Sequence, residues 1–387
     1  MVGDASILKQ SCDVLIVGGG PAGLAAAIAL RQRGADVMVA DALRPPIDKA
    51  CGEGLMPDAL RELRGLGVEA GPEHGAPFTG IRFADQHSSV SAEFGDRNGA
   101  VAPGLGIRRL VLHSMLVERA VEAGVSTFWG KPVTLRSSQP VMIGGDPIRY
   151  RWLVGADGHA SRVRSWAGLE DGRLHHRRFG FRTHYRISPW SSYVEVHWSS
   201  HGQVYVTPLS SSEVCIAVVT RFPKMARAGE IINSIPFLRE KLHGAEQVTR
   251  ERGAMTTTSR LRRVVRGNIA LIGDASGSVD AITGEGLALG FRQATLLAGA
   301  IETNDLDMYA SQHPETLRLP QTMSAVLLWL DRWPLLRERV LRILSAKPAL
   351  FSALLRVHLN EEPLQKFLFQ HGLELGGRLL LPGVSSF

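Results

Sequence analysis

Val14-Leu15-Ile16-Val17-Gly18-Gly19-Gly20-Pro21-Ala22-Gly23, near the start of a 387-residue chain, decides what the first fifty residues build. A uniformly apolar, β-branched run before the glycines reads as a buried parallel strand. Leu24-Ala25-Ala26-Ala27-Ile28-Ala29-Leu30 is made of strong helix formers. Gly34 follows where a left-handed cap is wanted. Val37-Met38-Val39-Ala40 supplies a second strand, which Asp41 ends. Gly18 permits the tight turn, Gly20 lets backbone approach a pyrophosphate, and Gly23 lets helix pack on strand, with Pro21 and Ala22 in the same turn. The pyrophosphate would meet the unpaired amides at the positive end of the helix. Asp41 stands where an acid holds adenosine ribose hydroxyls and repels a 2′-phosphate, so NADP is not expected as the resident ligand.

Two later stretches repeat the logic. Arg151-Trp152-Leu153-Val154-Gly155-Ala156-Asp157-Gly158 is an apolar strand ending in a small-residue turn with an acid. Asn268-Ile269-Ala270-Leu271-Ile272-Gly273-Asp274-Ala275-Ser276-Gly277 is another, and Thr283-Gly284-Glu285-Gly286 then opens a helix from Leu287 to Ile301. A nicotinamide dinucleotide has no use for an acid at a third crossing of its sheet. FAD has, because its ribityl chain and ring extend well beyond the pyrophosphate.

A fourth stretch, Ile107-Arg108-Arg109-Leu110-Val111-Leu112-His113-Ser114-Met115-Leu116, completes a pattern. The chain resembles the flavoprotein superfamily of p-hydroxybenzoate hydroxylase and geranylgeranyl reductase, over roughly residues 10 to 305. The resemblance implies an α/β protein: a three-layer, Rossmann-like FAD-binding domain of glutathione-reductase type, an antiparallel β-sheet substrate domain and a C-terminal helical segment. It implies that Asp274 holds the ribityl hydroxyls and that the Gly284, Glu285 and Gly286 stretch faces the electron-rich N1/O2 edge of the flavin, where a helix dipole stabilises negative charge. By the same resemblance Asp157 orders the pyrophosphate side, Arg109 rather than Arg108 meets the FAD phosphates, and Val133 joins the cofactor neighbours. From the residues alone, either arginine could be solvated at a helix start.

Because the motifs are dispersed, the FAD domain is expected to be discontinuous: 1–80, 103–165 and 262–310. Segments 81–102 and 166–261 would build the substrate domain. Phe179 to Ile187, Tyr193 to Trp198, Val204 to Val206 and Val214 to Val219 read as antiparallel strands with one face buried. In residues 311–387, short apolar helices separated by Pro334, Pro348 and Pro363 would form a cap. The same helices could instead make a greasy entrance or an interfacial anchor with snorkelling arginines.

Composition narrows the class. An apolar content of 44 % is ordinary for a globular chain long enough for two domains. Cys12, Cys51 and Cys215 are too few and too scattered for a disulfide framework or a metal site, which suits the reducing cytoplasm. Nothing at the N-terminus reads as a signal peptide, and no apolar run approaches a membrane span. The net charge of +7 is dispersed and carries no nucleic-acid motif, so acidic cofactors or anionic lipid are the expected attraction.

Lys49-Ala50-Cys51-Gly52-Glu53-Gly54 resembles the Cys-Gly segment beside the flavin in reductase-like members. Cys51 would pack beside the ring with Gly52 or act as a thiol; Glu53 would donate a proton or be a loop carboxylate. His184, Tyr185, His197 and Tyr205 are the other candidates on the expected sheet, with His197, Tyr205 and Glu53 carried forward as catalytic. Gly277 and Ala281 stand where the hydroxylase branch usually has histidine and proline, yet the aromatic-Trp-Phe-Pro signature of the reductases is missing too. The halogenase tryptophan-x-tryptophan pattern is absent, and no lysine lies between Lys49 and Lys131. The expected activity is an FAD-dependent monooxygenase that uses NADPH or NADH transiently, with O2, to hydroxylate a hydrophobic, aromatic or polyketide-like small molecule. The alternatives are an FAD-dependent reductase of isoprenoid-type double bonds and a non-redox flavin protein that shields an intermediate.

Overall fold

The computed structural model describes residues 10–95, 102–137, 139–170, 173–222 and 228–380. In chain order, β1 (Ser11–Val17), α1 (Pro21–Gln32) and β2 (Val37–Asp41) come first. An excursion, β3 (Gly80–Ala84) and β4 (Ser89–Glu93), precedes α2 (Arg109–Glu122), β5 (Ser126–Trp129) and β6 (Arg149–Gly155). Four long strands follow: β7 (Arg173–Arg186), β8 (Tyr193–Trp198), β9 (Gln203–Ser210) and β10 (Glu213–Thr220). Then come β11 (Arg252–Arg260), β12 (Val265–Arg266), β13 (Ile269–Leu271), β14 (Gly277–Ser278) and α3 (Gly286–Glu302). The C-terminal helices are α4 (Leu306–Arg332), α5 (Pro334–Ala346), α6 (Pro348–His358) and α7 (Leu364–Leu380).

The first sheet has the order β12-β13-β6-β1-β2-β5 and is parallel except for the edge strand β12. Val14 to Val17 are buried in succession, as a strand covered on both faces must be. Helices α1 and α3 pack on each other, and α1 also packs on α2. A small meander, Val133–Thr134, Met142–Ile143 and Asp146–Pro147, sends Val133 and Ile143 into the same core. This is the expected α/β FAD-binding architecture, with each acid-bearing turn at the C-terminal end of a parallel strand.

The second sheet runs β14-β11-β7-β10-β9-β8-β3-β4. It is mixed rather than purely antiparallel, because β3 pairs with β8 in parallel. The early excursion enters beside β8 from the first sheet, and so takes β8's direction. Register fixes two faces along these strands, since side chains alternate. The outer face carries Val204, Val206, Val214, Ile216 and Val218, which pack on the short helices Ala228–Asn233 and Pro236–Lys241. The inner face carries Gly180, Arg182, Tyr205, Ala217, Val196 and Phe83, joined strand to strand by direct pairing.

The C-terminal segment is helical, but its first helix differs from the expectation. α4 runs through Pro314 and Pro320 as one element of 27 residues. Its buried positions, Tyr309, His313, Leu317, Pro320, Ser324 and Leu330, return at three- to six-residue steps along one side. Burial of that stripe outweighs the hydrogen bonds the prolines remove. Pro334 and Pro348 do open new helices, in the first turn where proline costs nothing.

Candidate functional site

The dinucleotide cradle is shaped by space that only glycine leaves. Gly18 adopts φ +112°, and a β-carbon there would stand 2.4 Å from the Ala156 carbonyl oxygen of the neighbouring turn. At Gly23 a β-carbon would meet the Gly18 carbonyl at 2.0 Å, the close helix-to-strand contact its spacing implied. Gly20 faces open space and borders the cavity together with Gly18, Pro21 and Ala22. Asp41 accepts the Gly19 amide at 2.7 Å and the Leu43 amide at 2.8 Å, which holds its carboxylate at the end of β2.

Around this turn stand residues that the sequence did not single out. The Trp129 ring lies against Gly19, where a β-carbon would approach it to 2.2 Å. His113 lies 2.9 Å, through Nε2, from the Gly19 carbonyl oxygen, and burial pushes its pKa down, so a neutral ring donates that bond. The bond steadies the glycine turn from α2.

Arg109 borders the cavity, its Nε is buried with no hydrogen-bond partner, and its backbone amide is held by Glu53. Arg108 instead pairs with Glu213 through two hydrogen bonds of 2.7 and 2.5 Å. Of the two arginines, Arg109 is the one that borders the cavity with an unpartnered nitrogen. Val133 also borders the cavity. Asp157 is consumed locally: it accepts from Ser161 Oγ and from the amides of Arg162 and Val163, so it orders the turn that presents Gly158 and His159 to the cavity.

Asp274 binds Lys49 Nζ at 2.8 Å and stays 40 % accessible because it faces the cavity. Burial raises its pKa, but the charge and hydrogen bond of Lys49 outweigh that and hold it below the usual carboxylate range. Gly284 adopts φ +71°, and Gly284 and Gly286 face open space at the start of α3, whose first amides look into the cavity. The Glu285 side chain lies in the protein interior. It is 2 % exposed, turned away from the cavity, with both carboxylate oxygens unpartnered and His358 Nδ1 3.7 Å away. Burial raises its pKa. Only its backbone can serve a flavin.

The candidate catalytic residues separate. His197 lies on the outer face of β8, where Nε2 sits 2.8 Å from Glu195 and the ring stacks on Phe237. It is structural, because strand alternation sends it away from Tyr205. Tyr205 borders the cavity, but its hydroxyl is already given to the Ile282 carbonyl at 2.9 Å. Burial pushes its pKa far up, so it remains a neutral strut between sheet and flavin loop. Glu53 is buried at φ +58° and ties the pocket rim together: Oε1 accepts the Arg109 amide, and Oε2 lies 2.6 Å from His184 Nε2. Tyr185 faces the outer helices.

His184 continues to Thr249 Oγ1 at 2.9 Å, while Arg182 bonds Asp48 at 2.5 Å. Glu53, His184 and Cys215 bring three potential ligand atoms within 4.8 Å. Arg182 Nε stands 3.9 Å from the same Glu53 carboxylate, so a cation's charge is already supplied there. Cys51 and Gly52 line the cavity beside this rim, and the Gly52 carbonyl accepts the Thr207 hydroxyl. The signal for the network was present in the alternation: Arg178, Gly180, Arg182 and His184 share one face of β7, and that polar face is the one turned inward.

One continuous cavity of about 900 Å³ joins the cradle to the space between the second sheet and the C-terminal helices. The glycine cradle, the Asp41 and Asp274 carboxylates and the unpartnered Arg109 Nε fit an adenine dinucleotide extended to a flavin ring. A model of the FAD binding domain matches residues 11–303. The chain belongs to the FAD-binding-domain family.

Among relatives, the menaquinone reductase of Mycobacterium tuberculosis is 30 % identical over 328 residues, covering 77 % of this chain and 78 % of that one. The 3-(3-hydroxy-phenyl)propionate/3-hydroxycinnamic acid hydroxylase of Mycobacterium sp. (strain JLS) is 32 % identical over 179 residues, 41 % of this chain and 29 % of that one. The flavin-dependent brominase Bmp2 superposes with a TM-score of 0.77 at 18 % identity, over 95 % of this chain and 99 % of the other. At that identity the likeness concerns fold alone. The chain is thus an FAD-dependent oxidoreductase with monooxygenases among its relatives.

Proposed function

We propose that this flavoprotein is an NAD(P)H-dependent monooxygenase that hydroxylates the aromatic ring of a substrate with a long apolar tail. The observation that carries this reading is the continuation of the flavin site into an apolar passage. Past Tyr205 the walls are Ile81, Phe83, Val194 and Val196 on the sheet and Leu327, Leu330, Leu344, Phe351, Leu354 and Phe367 on the helices. A flat ring is accommodated where Gly180, Ala217 and Ala254 give the inner face its smallest side chains.

FAD, once bound and reduced, supplies the electrons and the activation of O2. The chain's own groups do the rest. The apolar walls exclude water, which guards an oxygen-activating site against wasteful side reactions. The Tyr205 bond to Ile282 fixes the distance between the ring platform and the flavin loop. Glu53 Oε2 is hydrogen-bonded to His184 Nε2 at the rim, and its other oxygen holds the Arg109 amide in register.

A second reading is the reduction of a double bond in a lipophilic substrate. It is favoured by the menaquinone reductases, which match over most of both chains where the hydroxylase matches less than half of this one. Incubating the FAD-loaded protein with NADPH, O2 and phenols bearing alkenyl tails of increasing length separates the two. Hydroxylation gives a product heavier by one oxygen atom, with oxygen uptake matching NADPH oxidation. A product heavier by two hydrogens, formed equally well without oxygen, overturns it. No NADPH oxidation with any substrate would leave the shielding function.

We also propose that the C-terminal helices touch a membrane surface. Leu335, Phe369 and Leu373 are 84, 89 and 93 % exposed on α5 and α7. No helix among the described residues is long and apolar enough to cross a membrane.

A further inference from the structure

The apolar passage holds a charge that the mechanism above does not use. Arg337 on α5 borders the cavity at 7 % exposure, with Nε and Nη1 buried and without hydrogen-bond partners. Its guanidinium lies over the Trp198 ring, 5.2 Å from the centroid. Trp198, on the inner face of β8 and 3 % exposed, borders the same cavity, and its Nε1 is also unpartnered. Two side chains thus bring three orphaned donor nitrogens to the wall of a passage lined largely by apolar side chains.

Buried donors without partners are costly, and an arginine more so than most. The charge itself is balanced: Asp85 Oδ2 lies 4.0 Å from Arg337 Nε, and Asp331 is also close enough to act on it. Neither carboxylate reaches hydrogen-bond distance of the buried Arg337 nitrogens. Asp85 accepts the amides of His87 and Ser88, and Asp331 accepts from Gln203 Nε2. Gln203 is tied in turn to Arg178, which pairs with Asp280 at 3.0 Å. These contacts tie both carboxylates into the surrounding structure, while three donors of Arg337 and Trp198, two residues that border the cavity, have no partner.

From this we infer that Arg337 and Trp198 form a subsite for an acceptor oxygen on the substrate's aromatic head, a ring-borne carbonyl or an oxyanion. Strand register places Trp198 two residues along β8 from Val196, the strand partner of Tyr205. An aromatic head held there by its oxygen would present the rest of its ring to the Gly180–Ala217 platform and send its tail between the helices. Selectivity would follow from the asymmetry of polar recognition: an analogue without the oxygen leaves buried donors unpaired. The inference rests on the proposed substrate class but not on the reaction performed.

Calorimetric titration of the FAD-loaded protein with 4-butylbenzoate, 4-butylacetophenone and butylbenzene tests it without turnover. The unaltered protein should bind both oxygen-bearing probes more tightly than butylbenzene. Arg337→Met should weaken them by about tenfold or more, the worth of a hydrogen bond to a charged donor, and leave butylbenzene within about threefold. A loss confined to the benzoate assigns the subsite to oxyanions; a loss for both assigns it to acceptor oxygens generally. Equal loss for all three probes, or no loss for either oxygen-bearing one, overturns the inference. Trp198→Phe keeps the ring and removes Nε1; should Arg337→Met fail to fold, oxygen selectivity in the unaltered protein, diminished in Trp198→Phe, decides instead. A protein that discriminates among the probes but hydroxylates nothing would refute the proposed activity and leave the subsite standing.

Discussion

Two carboxylates that border the cavity, Asp41 and Asp274, are the ones whose loss should be felt in FAD binding. Asp41 has two duties: it braces the glycine turn through the Gly19 amide and stands where a ribose would hydrogen-bond. Asp274 is kept ionised by Lys49 and faces the cavity. Asp41→Asn keeps the shape and removes the charge, and should weaken FAD binding by on the order of 1–2 kcal/mol, the difference between a charged and a neutral acceptor. Asp274→Ala should lower the flavin-to-protein absorbance ratio of purified protein further, because it also leaves Lys49 without its partner. Full yellow colour in both variants would show that neither carboxylate touches FAD. The positions of these two acids were legible, Asp41 from its place at the end of the second strand, 23 residues after Gly18, and Asp274 from the Gly273 that precedes it. At Glu285 the motif pointed to the amide and said nothing of the side chain: a motif fixes where the backbone goes, and packing decides that this side chain turns toward His358. Arg337 and Trp198 carried no local signal at all, being joined only by the approach of α5 to β8.

At the scale of elements, α4 is coupled to the flavin loop. His313 Nε2 lies 2.9 Å from Ser276 Oγ, and Gln293 on α3 accepts the Gly273 amide within the same buried knot. Burial lowers the pKa of His313 from 6.5 to about 4. Folding therefore excludes a proton that the unfolded chain would bind between those values. The stability that depends on a neutral His313 is complete above pH 6.5 and is lost as pH falls toward 4, by about 3 kcal/mol in all. His313→Gln can keep a hydrogen bond to Ser276 and cannot titrate, so its melting temperature should fall less steeply over that interval. Parallel pH profiles for the two proteins would show that the imidazole does not anchor this loop. That a helix would pass through Pro314 and Pro320 to deliver His313 was not legible. Proline reads as a stop in sequence, and the buried stripe that overrides it is a tertiary contribution. The four long strands were legible from alternation, because period two survives in any sheet with one apolar face. Which face looked inward was not, since here the polar face lines the cavity.

On the scale of the whole molecule, the cavity and the exposed apolar surface share helices. Val326, Trp329 and Leu368 border the passage and are themselves exposed, 48, 56 and 53 % respectively. Phe369 and Leu373 continue the surface on α7, and Leu335 and Trp333 extend it near the start of α5. A patch of this kind is a liability in water and an asset at a bilayer, where a lipophilic substrate is already concentrated. The net charge of +7 adds attraction to an anionic surface. If substrate enters through the bilayer, the mouth of the passage must lie against it, and those helices must be the contact. The protein should then cosediment with vesicles of phosphatidylcholine and phosphatidylglycerol, and less well in high salt or with phosphatidylcholine alone. Phe369→Asp together with Leu373→Asp should abolish cosedimentation and leave FAD content unchanged, because neither side chain reaches the cradle. Turnover of a long-tailed substrate presented in vesicles should fall with it, while turnover of a short, water-soluble analogue should hold. Cosedimentation that survives both substitutions would place the contact elsewhere, and loss of both activities together would make these residues part of the fold rather than of its docking face.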